Sequence, residues 1–249
     1  MKNWLTNALF LVFLFCGSCA FAGDNEVIAT IAGDKITNKD IKPPKAPPIV
    51  RAQGEEEMYK KVMEYYNFEK LLFKRLRDNY ISSASLDISS EVELYLEYLS
   101  HEHQKQKHKI EVLKDRLERS KDQKNLDTNQ VAINEKRLDK IDKEIDKNAP
   151  SGNPEKDGAY DAVKNYFFYA WLYNKYKGLV HNLGGNYIPI EAYNNHIKDM
   201  LGKEEIVINS QHIKDQLLKK LSHLPNSPLE VKSRSSEFYY STPYWKMKG

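Results

Sequence analysis

Residues 27–41, VIATIAGDKITNKDI, decide how this chain folds, because they contain a short strand and a tight turn. From Val27 to Ile31, apolar residues alternate with small or polar ones, which is typical of a half-buried strand. The next four residues, AGDK, have turn chemistry, and Gly33 can take a positive φ. Thr37 and Asp40 have the spacing of a weak capping box, so we expect a helix to start there.

A strand of this length needs a partner strand for its backbone hydrogen bonds. Two later segments could pair with it, residues 179–183 and residues 206–208. Either pairing would tie residues 27–31 to the C-terminal half of the chain. We therefore predict that the motif closes a discontinuous domain.

The first 22 residues have the pattern of a cleaved secretion signal. Lys2 precedes the apolar run 5–15, and residues 20–22, AFA, give the small-x-small pattern that a signal peptidase requires. We expect cleavage after Ala22. A lipoprotein site at Cys19 is the alternative, and it is disfavoured because Cys16 stands where such sites usually carry leucine.

Cleavage after Ala22 would remove both cysteines of the chain, Cys16 and Cys19. The product could then form no disulfide, no thiolate metal site and no cysteine nucleophile. No later segment of the sequence is long and apolar enough to be a membrane span. The leader therefore predicts a periplasmic protein of a Gram-negative cell.

Charge and composition narrow the classes of partner. Loss of Lys2 with the leader lowers the formal net charge from +3 to +2, and lysines and acidic residues are interspersed. This pattern argues against nucleic acid as a partner. The chain has 16 tyrosines, 9 phenylalanines and 3 tryptophans. Tyrosine-rich surfaces suit binding, but buried tyrosine is equally ordinary, so composition leaves both roles open.

Most of the remaining sequence has helical periodicity. Four prolines lie between residues 41 and 57, which predicts an extended linker or wrapping arm over 42–50 rather than a regular helix. Helices are predicted over residues 55–79, from Ser89 onward, and over 159–177. A short strand near 179–182 and two helices ending near 224 follow. The tail, residues 225–249, is predicted to be a docking strand or a loose end.

Residues 101–148 are the most polar part of the chain and predict a projecting arm. Two apolar heptad patterns fold onto each other as an antiparallel coiled-coil hairpin. The predicted pairs are Ile110 with Ile145, Leu113 with Ile141, and Leu117 with Leu138. With so few heptads, one long solvated helix or a partly disordered charged segment remains the alternative.

The sequence carries no recognisable catalytic constellation. His101, His103 and His108 are spaced by two and five residues, which does not place three imidazoles on one face of a helix. A solvated basic face explains them better than a metal site. No nucleophile elbow or phosphate-binding glycine loop is present. We expect no enzyme activity, no metal and no cofactor.

The aromatic residues of the helices are the candidates for peptide contact. Rings and thioethers tolerate many partners, as a binder of unfolded chains requires. Packing in a core is the alternative role for the same residues, and the sequence favours it for the run 166–176. The candidate peptide-binding residues are Tyr65, Tyr66, Phe73, Phe167, Phe168, Trp171 and Tyr173.

Residues 27–41 resemble the start of the N-terminal domain in periplasmic chaperones of the SurA and PpiD kind, which often begin with a pattern like VVATVNGEPITxxEL. The matching residues here are Val27, Ala29, Gly33, Asp34, Ile36, Thr37 and Ile41. The segment 68–96 is similar to the family's next two helices through Ile88, Ser89, Glu91 and Val92. A weaker likeness covers residues 166–200, in WLYNKYKG and PIEAY.

Two features depart from the family's pattern. The proline arm interrupts a stretch that is normally helical, and a charged arm stands where a parvulin domain would be inserted. HNLGGNYIP, residues 181–189, has two glycines of a parvulin-type loop but lacks the rest of that domain. The resemblance therefore implies a chaperone without prolyl isomerase activity.

These observations together predict a mainly α fold: a SurA-N-like helical domain with a small N-terminal β element and an inserted antiparallel coiled-coil hairpin. Residues 23–100 would form its first part, 101–148 the hairpin arm, 159–224 the closing helices and 225–249 a tail. The expected function is holding non-native or partner polypeptides without catalysis. The alternatives are a structural or assembly protein with one dedicated partner, and a diverged peptidyl-prolyl isomerase. A peripheral membrane contact and a homodimer stay open.

Overall fold

The computed structural model describes residues 23–121, 128–183, 186–222 and 233–247. The predicted leader, with Cys16 and Cys19, lies outside the described residues, as do residues 122–127 of the predicted hairpin and the glycines of the predicted turn at 184–185. Over the described residues the chain is mainly helical, with small antiparallel sheets, so the coarse fold class is confirmed.

The strands and the helices of the described residues are each numbered in the order in which they occur along the chain. The strands are β1 (Val27–Ile31), β2 (Asp34–Thr37), β3 (His181–Leu183), β4 (Asn186–Ile188) and β5 (Ile206–Ile208). The helices are α1 (Pro48–Ala52), α2 (Glu56–Ser83), α3 (Ser89–Lys121), α4 (Thr128–Lys147), α5 (Ala159–Tyr176), α6 (Ile190–Gly202), α7 (Gln211–Ser222) and α8 (Ser233–Ser241), and a 3₁₀ turn spans Tyr244–Lys246.

The quoted stretch forms two strands of a three-stranded sheet, and β1 lies between β2 and β5. Ile31 pairs with Asp34 on one side and with Ile206 on the other. Ala32 and Gly33 have φ of 49° and 89°, as a two-residue hairpin turn requires. Of the two segments that could pair with β1, residues 206–208 do so, while residues 181–183 pair with β4.

The helix predicted to start at Thr37 is wrong. Residues 38–41 form turns, and the backbone N–H and the hydroxyl of Thr37 each donate to Asp40 Oδ2 at 2.8 Å. These hydrogen bonds lower the pKa of the Asp40 carboxyl. The capping-type pairing thus exists, but it closes a turn after β2 rather than a first helical turn.

The chain divides into two compact units, each made of separate stretches of sequence. Over the described residues, unit 1 comprises residues 23–79 and 193–222, and unit 2 comprises residues 80–121, 128–183, 186–192 and 233–247. Unit 1 joins an N-terminal and a C-terminal stretch of the chain, and the β1–β5 pairing lies within it. The predicted boundary near residue 100 does not separate the units.

In unit 1, α2 and α7 lie side by side and run in the same direction. His212 Nε2 donates to the carbonyl oxygen of Lys61 at 3.3 Å. About two turns further along both helices, Lys220 forms an ion pair with Glu69. Arg75 pairs with Asp34 at 2.8 Å, which fixes α2 against the β1–β2 turn. The buried side chains of this unit include Ile31, Ile36, Phe68, Leu72, Ile197, Ile213 and Leu217.

The proline arm contains a short helix, which the sequence interpretation excluded. Pro48 occupies the first turn of α1, where a missing N–H costs nothing because that N–H has no helical partner. The start of the arm is held by Asn67, whose Nδ2 donates to the Ile41 carbonyl at 3.1 Å and to the Lys42 carbonyl at 3.3 Å.

In unit 2, α3 and α4 contact each other along the predicted hairpin arm. Helix α3 is one continuous helix from Ser89, so the arm grows out of the preceding helix. Ile110 and Val131 are buried between the helices, but Leu113 is 44% exposed. The predicted pairing of Leu113 with Ile141 thus does not bury Leu113, and the neighbouring Lys114 pairs with Asp139 and Asp142 of α4.

The lysines on the inward face of α3 are paired with carboxylates of α4. Lys107 Nζ lies 2.5 Å from Asp142 and 2.8 Å from Asp146, and Lys114 Nζ lies 2.7 Å from Asp142. Farther along, Lys121 pairs with Glu135 at 2.5 Å. Because higher numbers on α3 meet lower numbers on α4, the helices are antiparallel.

Helix α5 and the C-terminal segment form the aromatic core of unit 2. Tyr240 and Trp245 are 4% and 7% exposed. The hydroxyl of Tyr166 donates to the Tyr239 carbonyl at 2.9 Å, and that of Tyr240 donates to the Tyr187 carbonyl at 2.8 Å. The described part of the tail is thus a docked helix and 3₁₀ turn, not the strand or loose end that was predicted.

Candidate functional site: an apolar groove in unit 1

An open groove lies between the N-terminal turns of α2 and the first turns of α7. Its volume is about 590 Å³, within the range of small ligand sites. Spacing on α2 explains the lining, because residues one and two turns apart share one face of a helix. The lining residues are Glu57, Met58, Lys61, Val62, Tyr65, His212 and Gln216.

Two apolar side chains of the groove are largely open to solvent. Met58 is 58% exposed and Val62 is 60% exposed, although both belong to the periodic apolar pattern of α2. Periodicity predicts burial for them, so their exposure is the departure that marks this face. A methionine beside a β-branched residue gives a surface that adapts to apolar partners of different shape.

Tyr65 contributes part of the groove wall while its hydroxyl is turned away from solvent. The oxygen is buried, and it has no hydrogen-bond partner among the described residues. Burial raises the pKa of this hydroxyl, and the nearby carboxylate of Glu69 raises it further. Tyr65 is therefore a neutral phenol, and its ring is the part that a bound chain would contact.

The rim of the groove carries both signs of charge, held in fixed pairs. Lys61 Nζ lies 3.0 Å from Glu57 Oε1, and this contact lowers the pKa of the Glu57 carboxyl. His212 is held by its hydrogen bond to the Lys61 carbonyl. A rim of this kind selects neither strongly acidic nor strongly basic ligands.

The other predicted residues of α2 lie outside this groove lining. Tyr66 is 47% exposed, and Lys70 Nζ lies 4.5 Å from the centre of its ring. Phe73 packs edge-on against Tyr193, with ring centres 5.8 Å apart. Of the three α2 candidates, Tyr65 is the one that the structure places in the groove.

The four predicted residues of α5 belong to unit 2 and pack against other aromatic rings. Phe168 is 0% exposed and Tyr173 is 3% exposed, so neither offers side-chain surface to a peptide. Trp171 stacks on Tyr80 with ring centres 4.7 Å apart. Phe167 packs edge-on against Tyr166 at 5.6 Å. The interpretation of this helix as core accounts for these contacts.

Sequence reasoning missed the contributions of α7 to the groove. His212 and Gln216 lie about 150 positions after the α2 residues that they face, and they carry no motif. Their signal is only the i, i+4 spacing on an amphipathic helix. Nothing in that spacing indicates that α7 packs beside α2, which follows from the β5 pairing that precedes it.

Within the described ranges, no group of three or more histidine, cysteine or acidic side chains could hold a metal ion. None of the described helices is long and apolar enough to cross a membrane.

Comparison of the chain with protein-family models, with curated proteins and with solved structures found no match in any of the three.

Proposed function

We propose that this protein holds non-native polypeptides without catalysis and that the groove of unit 1 is where it contacts them. The observation that carries the proposal is the exposure of Met58 and Val62 beside the ring of Tyr65. The occupant we propose is an extended segment of an unfolded chain that carries apolar side chains.

The chemistry of the groove supports loose selection of such segments. Its apolar contacts come from a flexible thioether, a small branched side chain and one ring, which accept partners of different shape. Because Glu57 and Lys61 pair with each other, they give the rim no net charge that would favour an acidic or a basic ligand. A shallow, open groove makes few contacts with each segment, which suits weak and reversible binding.

The resemblance to the SurA and PpiD family supports the same function from a separate direction. Its strongest element, residues 27–41, forms the strand pair that closes unit 1, the unit that carries the groove. We propose with it that the protein acts in the periplasm after removal of residues 1–22. Cell fractionation and N-terminal sequencing test this part, and the expected first residue is Gly23.

The test is suppression of aggregation by residues 23–249. An unfolded outer-membrane β-barrel protein and an unrelated unfolded enzyme are diluted into buffer, and light scattering is followed with and without the protein. We expect suppression of both. The double variant Met58→Ser with Val62→Ser should suppress less, because it removes the exposed apolar surface and leaves buried residues in place.

The matched control is Ile133→Ser with Leu218→Ser, which removes two other exposed apolar side chains, 58% and 47% exposed, outside the groove. It should suppress aggregation as the wild type does. Equal loss in both double variants would assign binding to general surface apolarity. Suppression of neither client by the wild type would overturn the proposed function and leave a dedicated partner as the alternative, to be sought by pull-down.

A further inference from the structure

Helix α4 carries two parallel rows of charge that differ by one residue in register. Glu135, Asp139, Asp142 and Asp146 form an acidic row at steps of four, three and four residues. Lys136, Lys140, Lys143 and Lys147 form a basic row with the same steps. One residue corresponds to about 100° around a helix, so the two rows point in different directions.

The acidic row is occupied by the lysines of α3. Asp142 and Asp146 pair with Lys107, and Asp139 lies 2.9 Å from Lys114 Nζ. Glu135 pairs with Lys121 at 2.5 Å. Every carboxylate of this row therefore has its cation within the hairpin.

The basic row has no such partners. All four lysines are exposed, and none of them has a carboxylate within ion-pair distance among the described residues. Asp139 and Glu144 border the same shallow surface, but Asp139 is held by Lys114. The hairpin thus pairs the four carboxylates of the acidic row internally and leaves four ammonium groups facing outward, with Glu144 as the one carboxylate of this surface not held by α3 among the described residues.

We propose that this row of lysines, called here the outer lysine row, binds the phosphate groups of an anionic lipid surface. The row is straight and about 16 Å long, since eleven helical rises of about 1.5 Å separate its first and last lysines. Lysine binds phosphate as a point charge and needs no fixed geometry, so it suits an array of mobile headgroups. No apolar side chain interrupts the row, which fits electrostatic attachment at the surface without insertion.

The test uses residues 23–249 and vesicles of phosphatidylcholine with and without phosphatidylglycerol. We expect co-sedimentation with the anionic vesicles only, and loss of binding as the salt concentration rises above about 150 mM, where the Debye length falls below about 8 Å. The variant in which all four lysines of the row are replaced by glutamine should bind at least about tenfold more weakly.

The matched control replaces four other exposed lysines, Lys35, Lys45, Lys203 and Lys214, by glutamine. It has the same net charge as the row variant but keeps the outer lysine row. Equal weakening in both variants, binding to neutral vesicles, or binding only to a soluble polyanion such as polyphosphate would each overturn the proposal. Because the groove of unit 1 is unchanged in both variants, aggregation suppression reports separately on the proposed function.

Discussion

Gly178 lies where α5 ends and the chain turns towards β3, with a φ of +98°. A Cβ at this position would stand 2.6 Å from Glu191 Oε2, which accepts a hydrogen bond from the Leu179 N–H at 2.8 Å. Glu191 also lies in the first turn of α6, where its negative charge interacts favourably with the positive end of the helix dipole. This glycine therefore permits the contact between Glu191 and the backbone that follows α5.

We expect Gly178→Ala to lower the free energy of unfolding by about 1–2 kcal/mol from the positive φ alone, and by more if Glu191 must move. Gly202→Ala is the control, because no atom lies within 4 Å of the added carbon and its φ is not positive. Urea unfolding of both variants checks the prediction. Equal effects of the two substitutions would contradict it.

A second prediction concerns Tyr65, where we expect a substitution that does not lower the free energy of unfolding. Its buried hydroxyl has no partner within the described part of the chain, and an unsatisfied buried polar group costs about 1–3 kcal/mol. We expect Tyr65→Phe to leave stability unchanged or raise it, and to keep aggregation suppression intact, since the ring remains. A clear loss of stability in urea unfolding would show that the hydroxyl has a stabilising contact.

At the scale of elements, the hairpin stability depends on ionised pairs. Hydrogen bonds from Lys107 and Lys114 lower the pKa of the Asp142 carboxyl, and the same bonds raise the pKa of both lysines. A lowered carboxyl pKa adds stability above its unfolded value, about 3.9, which is lost as the pH falls through the folded pKa. The raised lysine pKa adds stability that is lost in strong base.

We therefore expect the wild type to have a higher melting temperature than Asp142→Asn at neutral pH, with the difference shrinking progressively as the pH falls below about 4. Melting curves followed by circular dichroism across the pH range measure the difference. Asp115→Asn is the control, because Asp115 pairs with Arg119 inside α3 rather than across the hairpin. A difference that persists in acid would contradict the assignment to this pair.

The C-terminal segment is the second element with a sharp prediction. Trp245 packs against Tyr166 with ring centres 4.9 Å apart, and its Nε1 donates to Glu91 at 3.1 Å. We expect Trp245→Ala to cost about 3–5 kcal/mol, as for other large buried rings. Phe238→Ala, in the same segment but 65% exposed, should change stability by about 0.5 kcal/mol or less. Urea unfolding compares them.

The sequence predicted where the helices of the hairpin lie better than it predicted which of their side chains are buried. The hairpin register is within one turn of the predicted one, yet Leu113 is exposed while Lys114 pairs across the hairpin, because carboxylates of α4 lie opposite this lysine. Heptad rules that count only apolar residues cannot detect this. The tail was misread for a related reason, since Tyr240 and Trp245 have no periodic pattern and are ordered by docking onto α3 and α5.

At the scale of the whole molecule, the sequence narrowed the β1 partner to two segments but could not choose between them. Residues 181–183 pair locally with β4, which leaves residues 206–208 for β1. The groove was not predictable, because it needs α7 beside α2 and that placement follows from this pairing. The apolar residues Met58 and Val62 were recognised, but only the assembled unit shows that they remain exposed.

We expect Val207→Pro to weaken the closure of unit 1 selectively, because proline removes a ladder donor in a strand. Val207→Thr is the control, since this exposed position tolerates a polar β-former. Hydrogen exchange read by mass spectrometry should show faster exchange over β1 and β5 in the proline variant, with the α3–α4 hairpin protected as before. Equal deprotection of the hairpin would contradict the division into units.

The β1–β5 pairing also sets the order of events while the ribosome makes the chain. Asn209 Nδ2 donates to the Val27 carbonyl across 182 positions of sequence. At roughly 5–20 residues per second, β1 waits on the order of 10–40 s for its second neighbour to be synthesised. During that interval one edge of β1 is open to any other strand. A protein that we propose shelters unfolded chains is thus itself a chain in need of shelter until its synthesis is nearly complete.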